Sequence, residues 1–315
     1  MTIFLQSLRQ GFQGMSVPVK ILVLTFLVVL FLLLSSVFAT LLAIPLFNIS
    51  IVEIYGIISN PSADNIAIVK FFQISQSVFL FIVPAILAAW LFGKNTFGYL
   101  GAQVKPRIST LLLVTGSVVI AIPFLNAVTS LNTRLDLPGW MDGLEREIRA
   151  LEESAARLTG LFLESRSGRD LAVNMLMIAI LPAIGEEFLF RGVLQRLLTD
   201  WTKNRHMGVI LGAFIFSFIH LQFYGFVPRF LLGLYFGYLF LWSSSIWVPV
   251  AGHFINNGLA VAYYHFAADP IGETALDRIG TSAGSSYPFV ISMIFTALLL
   301  VLIYRNEKNA GMQSS

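Results

Sequence analysis

The sequence predicts an all-α, polytopic membrane protein with about eight transmembrane helices. Hydrophobic residues make up 57% of the 315-residue chain and charged residues only 12%, whereas charged residues form roughly a quarter of a soluble domain. A helix rises about 1.5 Å per residue, so roughly 20 apolar residues are needed to cross the hydrocarbon core. Several stretches of this chain are long enough, and a helix satisfies its own backbone hydrogen bonds, as lipid requires.

The apolar runs define the predicted spans in chain order. Five long runs of about 18 to 28 residues begin near Ile21, Ile66, Ser109, Leu171 and Pro288. Three more spans, separated by short turns, are predicted over residues 207–222, 227–244 and 246–266. The total is therefore about eight.

Basic residues flank these spans unevenly. Lys and Arg in short loops are retained in the cytoplasm, and here they lie before the first span, between the second and third, after the fourth and after the last. They are Arg9, Lys20, Lys94, Lys105, Arg107, Arg196, Lys203, Arg205, Arg305 and Lys308. Both termini are therefore predicted to be cytoplasmic. These loops and anionic lipid headgroups account for the net charge of +3, and no nucleic-acid patch is evident.

The polar residues divide the chain into four regions. Residues 1–130 are predicted to form an N-terminal membrane region of about three helices, and residues 131–170 an extracytoplasmic connector. Residues 171–266 carry almost all the polar groups found inside apolar runs, so the chemistry is expected in this core of four helices. Residues 267–315 are predicted to hold the last helix and a cytoplasmic tail.

The connector is predicted to contain an amphipathic helix. Its apolar residues recur at steps of three and four, and acid-before-base pairs such as Glu145 with Arg149 have the favourable spacing of four. The apolar positions are Leu144, Ile148, Leu151, Ala155 and Leu158. Two interpretations stay open, a solvated connector packed on the bundle and a lid or substrate guide at the membrane interface.

Charged residues inside the fourth span indicate a functional site, because a charge at the centre of a membrane helix costs about 2.5 to 3.5 kcal/mol on insertion scales. Glu187 and Arg191 are four residues apart and are predicted to form an ion pair, which could serve packing alone. Glu186 points about 100° away and has no obvious local cation, so it is the candidate general base. Pro182 predicts a kink beside it.

Two later spans carry the remaining candidates. His220 ends the fifth predicted span, and His253 and Asn257 share one face of the seventh. In one mechanism, Glu186 and His220 deprotonate a water while His253 and Asn257 donate to the developing oxyanion. In the other, Glu186 and the two histidines hold a zinc ion, which lowers the pKa of its bound water and polarises the scissile carbonyl. The sequence does not separate the two mechanisms.

Other chemistries find less support in the sequence. The chain has no cysteine, which excludes a thiolate nucleophile, and no His-Glu-x-x-His zinc helix. Residues 280–284 match the nucleophile-elbow pattern without the strand that it needs. His206 and His265 are predicted to be interfacial. A transporter that uses the carboxylates as a proton relay is disfavoured because no internal repeat is found.

At the candidate residues the chain resembles the CAAX-protease and bacteriocin-processing intramembrane proteases. Members carry three motifs in order, and here these read Glu186-Glu187-x-x-x-Arg191, Phe216-x-x-x-His220 and His253-x-x-x-Asn257. The resemblance implies a buried endopeptidase cavity that opens toward the cytoplasm. It also implies that Glu186 activates water beside His220, and that His253 and Asn257 act as oxyanion donors or metal ligands.

The resemblance further implies a class of substrate. The expected function is hydrolysis of membrane-associated or lipidated, CAAX-like peptides or proteins in a bacterial inner membrane, by a metalloendopeptidase or a glutamate-type protease. The alternative is a non-hydrolytic membrane protein that confers immunity to a bacteriocin with the same cavity. In either case lipid and a membrane peptide or protein are the expected partners, and zinc is the possible cofactor.

One feature predicts a departure from eight regular spans. At about 1.5 Å per residue, His220 would lie about 20 Å from the cytoplasmic start of its span and His253 about 12 Å from its own. Tilt, or a short fifth helix that ends in mid-membrane, would have to bring the two histidines level.

Overall fold

A computed structural model of the chain describes residues 2–267, 278–281 and 287–313. These residues form helices and connecting turns without a strand, so the predicted all-α fold class is confirmed. The helices are α1 (Thr2–Gln13), α2 (Val17–Phe47), α3 (Ile51–Ser59), α4 (Ala63–Phe92), α5 (Thr96–Leu100), α6 (Ile108–Asn132), α7 (Asp142–Glu164), α8 (Gly168–Thr202), α9 (Arg205–Phe218), α10 (Phe226–Ser243), α11 (Trp247–Phe266) and α12 (Tyr287–Gln313).

Six of these helices are long and apolar enough to cross a membrane, namely α2, α4, α6, α8, α10 and residues Tyr287–Asn309 of α12. All eight predicted spans are helical, but two differ from a regular span. Helix α11 has 20 residues, and its histidines and asparagines lower its mean hydropathy. Helix α9 has only 14 residues and reaches about 21 Å.

The predicted fifth span over 207–222 is therefore wrong in its length. Helix α9 ends at Phe218, and the chain turns there because Leu221 adopts a left-handed conformation with φ of 53°. The short helix that ends before it has crossed the bilayer is the arrangement that would bring His220 and His253 level.

Helix α8 is irregular on both sides of Pro182. Residues Met175–Ile180 and Glu187–Leu194 form wider π-helical turns, which occur frequently at functional sites. Because Pro182 has no N–H, the carbonyl of Ile178 four residues earlier loses its helical partner. The disturbance that Pro182 predicted is thus present and leaves an acceptor free for another helix.

The N-terminal region packs directly against α8. A Cβ added at Gly185 would lie 2.8 Å from Cβ of Phe81 in α4, and one added at Gly192 would lie 2.8 Å from Cδ2 of Leu100 in α5. Contacts this short are possible only for glycine. No function is predicted from sequence for the first 130 residues, and in the structure they pack against α8 and fix its position.

The basic loops meet at one end of the bundle. The carbonyl of Gly93 accepts from Arg9 Nε at 3.1 Å and the N–H of Ile246 donates to Gly101 at 3.2 Å. Helix α12 lies along α6, and Arg107 Nη1 donates to the carbonyl of Asn306 at 3.2 Å at this same end. The loops that the positive-inside rule assigns to one side of the membrane therefore lie together.

The connector lies at the opposite end, where α6 finishes. Its amphipathic helix is confirmed as α7, with the predicted ion pair between Arg149 and Glu145 at 2.7 Å. Tyr224, in the turn before α10, holds α7 in place: its hydroxyl donates to Glu145 Oε1 and its N–H to Glu152 Oε1, both at 2.9 Å. The connector is thus tied to the loop that follows His220.

Candidate active site

The two carboxylates of α8 have different surroundings. Glu187 is fully buried, and its Oε1 accepts from Arg191 Nη1 at 3.0 Å, so the predicted ion pair is present. Arg191 also donates through Nη2 to the carbonyl of Gly233 at 3.1 Å, and its guanidinium lies 4.6 Å from the ring centroid of Phe216. The ion pair therefore connects α8 with both α9 and α10.

His253 joins this ion pair from α11. Its Nδ1 lies 2.8 Å from Glu187 Oε1, and because a carboxylate only accepts, Nδ1 carries the hydrogen. The ring of Phe236 stacks on the imidazole with centroids 5.0 Å apart. These contacts fix the ring so that Nε2 faces Glu186 Oε2 at 3.9 Å. The result is a series of contacting polar groups that runs from Arg191 through Glu187 and His253 to Glu186.

Glu186, at the end of this series of contacts, faces a cavity. It is 9% exposed and accepts no hydrogen bond from a residue in the described ranges. The sequence offered Glu186 no local cation, whereas the tertiary structure brings the His253 imidazole beside it and the guanidinium of Arg229 into the same cavity.

His220 lies just beyond the end of α9. Its Nδ1 is 2.7 Å from the carbonyl of Phe216, which can only accept, so Nδ1 is the donor and Nε2 keeps its lone pair. His220 lines the same cavity as Glu186 and His253. The structure thus brings together the candidate base and both histidines from three separate helices.

Asn257 reaches the irregular turn of α8. Its Nδ2 donates to the carbonyl of Ile178 at 3.0 Å, which is the acceptor that Pro182 leaves free. Its Oδ1 accepts from Asn256 Nδ2 at 3.0 Å. Both amides line the cavity, so Asn256, which the sequence analysis did not single out, is a further polar group at the site.

The cavity has a volume of about 490 Å³, within the range of small-ligand sites. Its polar lining includes Glu186, His220, Arg229, His253, Asn256 and Asn257. Ala155, Leu158, Thr159 and Phe162 of α7 form another side. Sequence reasoning missed Arg229, although an arginine at the start of an apolar span is the signal that selected the other candidates.

The remaining candidates lie elsewhere. His206 Nδ1 is 3.1 Å from the hydroxyl of Tyr238, and neither it nor His265 lines the cavity. Ser282 and Gly284 of the nucleophile-elbow pattern lie outside the described residues.

The four predicted zinc ligands, Glu186, His220, His253 and Asn257, all line the cavity. No group of three His, Cys, Asp or Glu residues suited to a metal occurs in the described ranges. Asn257 donates from Nδ2 to the carbonyl of Ile178, and its Oδ1 accepts one hydrogen bond from Asn256. Zinc binding stays a prediction.

Two predictions about the side of the membrane on which the cavity opens conflict with each other. Helix α7 lines the cavity and lies at the end opposite the basic loops. The positive-inside rule assigns that end to the outer side, whereas the family resemblance implied a cavity open to the cytoplasm. With α7 in this position, a cytoplasmic opening at this end would require the reverse orientation of the chain.

The fold and site define a polytopic α-helical membrane protein with a buried carboxylate–imidazole cluster. Residues 168–259 match the family described as Type II CAAX prenyl endopeptidase Rce1-like, and all six predicted site residues lie within this segment. The resemblance that the three motifs indicate is thereby confirmed for residues 168–259.

The chain is also similar to part of one curated protein. The uncharacterized protein YpbD of Bacillus subtilis (strain 168) is 26% identical over 97 residues, which amount to 30% of this chain and 47% of YpbD. The chain thus spans about half the length of this relative. No solved structure matches the chain with significance.

Proposed function

We propose that this protein is an intramembrane endopeptidase that hydrolyses membrane-associated or lipidated, CAAX-like peptides or proteins with a water activated by Glu186. One observation carries the proposal. The buried series Arg191, Glu187 and His253 ends 3.9 Å from the carboxylate of Glu186, in a cavity that His220 also lines. A structural ion pair would not require a second carboxylate that faces open space.

Each side chain has a distinct role in the proposed reaction. Glu186 takes a proton from water, and the hydroxide oxygen bonds to the scissile carbonyl carbon. Glu187 accepts from Nδ1 and so holds the ring of His253 in place, and in the protonated form of this ring Nε2–H donates to the oxyanion. His220 accepts from the water through Nε2. When the C–N bond breaks, Glu186 returns its proton to the leaving amine.

The test is cleavage by the purified protein in liposomes. The probes are fluorogenic peptides with a farnesylated cysteine near the C-terminus and the same peptides without the lipid, and mass spectrometry identifies the bond that is cut. We expect Glu186→Gln to reduce the rate by about 10²- to 10⁴-fold, the usual contribution of a general base. Glu147→Gln, on the exposed side of α7, removes the same charge outside the cavity and should cleave at the wild-type rate.

Other outcomes would assign a different function. If the wild type cleaves none of the peptides, and cells that carry Glu186→Gln still resist a bacteriocin, the non-hydrolytic immunity protein is the better description. Cleavage unaffected by Glu186→Gln would move the role of base to another residue.

Zinc binding is tested by a separate measurement. Mass spectrometry of the purified protein and of the His220→Ala, His253→Ala double variant gives the zinc content per chain. Near-stoichiometric zinc that disappears with activity in the double variant would establish the metalloendopeptidase, and activity at negligible metal content would establish glutamate-activated water.

A further inference from the structure

Arg229 places a permanent positive charge in the active-site cavity. It lies in the first turn of α10 and lines the cavity together with Glu186 and His220. Among the described lining residues it is the single Lys or Arg. An arginine in an apolar span is costly and usually has a partner or a function, so its contacts decide which applies here.

The Arg229 guanidinium is held in position, but one of its nitrogen donors has no acceptor among the described residues. Its Nη2 donates to Oε1 of Gln222. Gly225 leaves room for it, since a Cβ there would lie 2.9 Å from both Nη1 and Cζ. Nη1 itself is buried and has no hydrogen-bond partner among the described residues. A buried donor without a partner is unfavourable, and a guanidinium with a free edge fits a carboxylate.

The charge of Arg229 is also not neutralised by an ion pair in the described ranges. Glu152 and Glu186 are the acidic groups whose charges act on it. Glu152 directs Oε1 to the N–H of Tyr224 instead, and Glu186 has its 3.9 Å contact with His253. The cavity lining thus contains both a cationic group, Arg229, and a carboxylate, Glu186.

We infer that Arg229 is the anion subsite of the cavity and binds a carboxylate of the peptide substrate through Nη1. This inference rests on the proposed endopeptidase function and specifies its substrate. The carboxylate can belong to the C-terminus of the peptide or to an Asp or Glu side chain near the scissile bond. Binding there would supply the partner that Nη1 lacks and would fix the direction in which the peptide enters the cavity.

The test measures binding in a protein that does not hydrolyse, so it is independent of cleavage. The probes are three peptides, titrated into the Glu186→Gln protein in detergent: acetyl-Ala-Ala-Leu as free acid, the same peptide as C-terminal amide, and acetyl-Ala-Asp-Leu amide. We expect the free acid to bind about 10- to 100-fold more tightly than the first amide, the usual effect of a hydrogen bond to a charged group. Arg229→Gln should abolish this difference and Arg229→Lys should retain part of it.

Matched controls separate the guanidinium from general effects. Arg146→Gln removes the same charge from the exposed side of α7 and should preserve the preference for the acid. Gly225→Ala keeps Arg229 but displaces its guanidinium, so the preference should fall. Gly143→Ala, where an added Cβ has no neighbour within 4 Å, should not change it. Gly225→Ala also replaces Arg229→Gln as the test if the latter does not fold.

Each outcome of this experiment either supports or overturns the inference. A preference for the acid that depends on Arg229 supports the inference with the C-terminus as the source, and an Arg229-dependent preference for the Asp peptide supports it with a side chain as the source. Equal behaviour of all three peptides overturns it, as does a preference that persists in Arg229→Gln. In a separate cleavage assay with Glu186 present, a kcat that falls equally for acid and amide substrates in Arg229→Gln, with unchanged KM, would make Arg229 an oxyanion donor instead. Carboxylate binding without any cleavage would refute the endopeptidase alone.

Discussion

Glu186 and Glu187 are adjacent carboxylates, and the same substitution at each should separate stability from chemistry. Glu187 is fully buried, and its Oε1 accepts from Arg191 Nη1 at 3.0 Å and from His253 Nδ1 at 2.8 Å. Glu186 lines the cavity, and the ion-pair contact it has among the described residues is with His253 Nε2 at 3.9 Å. Glutamine keeps the length of either side chain and removes its charge.

The expected effects differ in kind. Glu187→Gln leaves Arg191 buried without its counterion, and breaking a buried pair in this way costs about 3–5 kcal/mol. Because the free energy of unfolding of a natural domain is about 5–15 kcal/mol, we expect the melting temperature to fall by on the order of 10 °C. Glu186→Gln breaks no hydrogen bond with a described residue, so its effect on stability should stay within about 1 kcal/mol.

Thermal unfolding in detergent, followed by tryptophan fluorescence, measures these effects beside the cleavage rate of the farnesylated peptide. The reasoning requires a stable, inactive Glu186→Gln and an unstable Glu187→Gln. Equal destabilisation by both variants would make Glu186 a structural carboxylate. A wild-type melting temperature for Glu187→Gln would show that the buried ion pair contributes little to the fold.

Three further predictions test the surroundings of the site. Gly185→Val should destabilise the protein by about 1–3 kcal/mol, because its Cβ would lie 2.8 Å from that of Phe81. The control is Gly168→Val, where an added Cβ has no neighbour within 4 Å. Equal melting temperatures of the two variants would refute close packing of α4 on α8. The pKa of Glu145 is lowered from its usual value of 4.5 by hydrogen bonds from the Leu137 N–H, Arg149 and the Tyr224 hydroxyl, so its stabilising effect is present at neutral pH and lost as acid protonates it below about pH 4.5. Hydrogen-exchange protection factors in α7, which correct for the intrinsic pH dependence of exchange, should fall in that range, and Glu145→Gln should remove the pH step. Because the chain has no cysteine, a single Ala156→Cys variant shows on which side of the membrane α7 lies. Labelling by an impermeant maleimide in intact cells would support the positive-inside orientation. Labelling only after permeabilisation would show the reverse orientation.

The sequence alone determined the features that lie within one helix. The apolar runs predicted the helices, and the spacing of four predicted the pair of Glu187 with Arg191, which the structure contains. Pro182 predicted an irregular α8 because its missing N–H acts on the turn that contains it. Such contacts depend on the 3.6-residue period of the helix, which is readable in any stretch of sequence.

Contacts between helices were decided by the tertiary structure. The bond from His253 to Glu187 joins residues 66 positions apart, and it depends on how deep α11 lies and which way it is rotated. The early end of α9 and the position of α7 beside the cavity likewise arise from packing and from the ties to Tyr224. Local periodicity gives the face of a helix but neither its depth nor its neighbour, and for that reason the sequence named the candidate residues while only the fold showed that Arg229 lies among them.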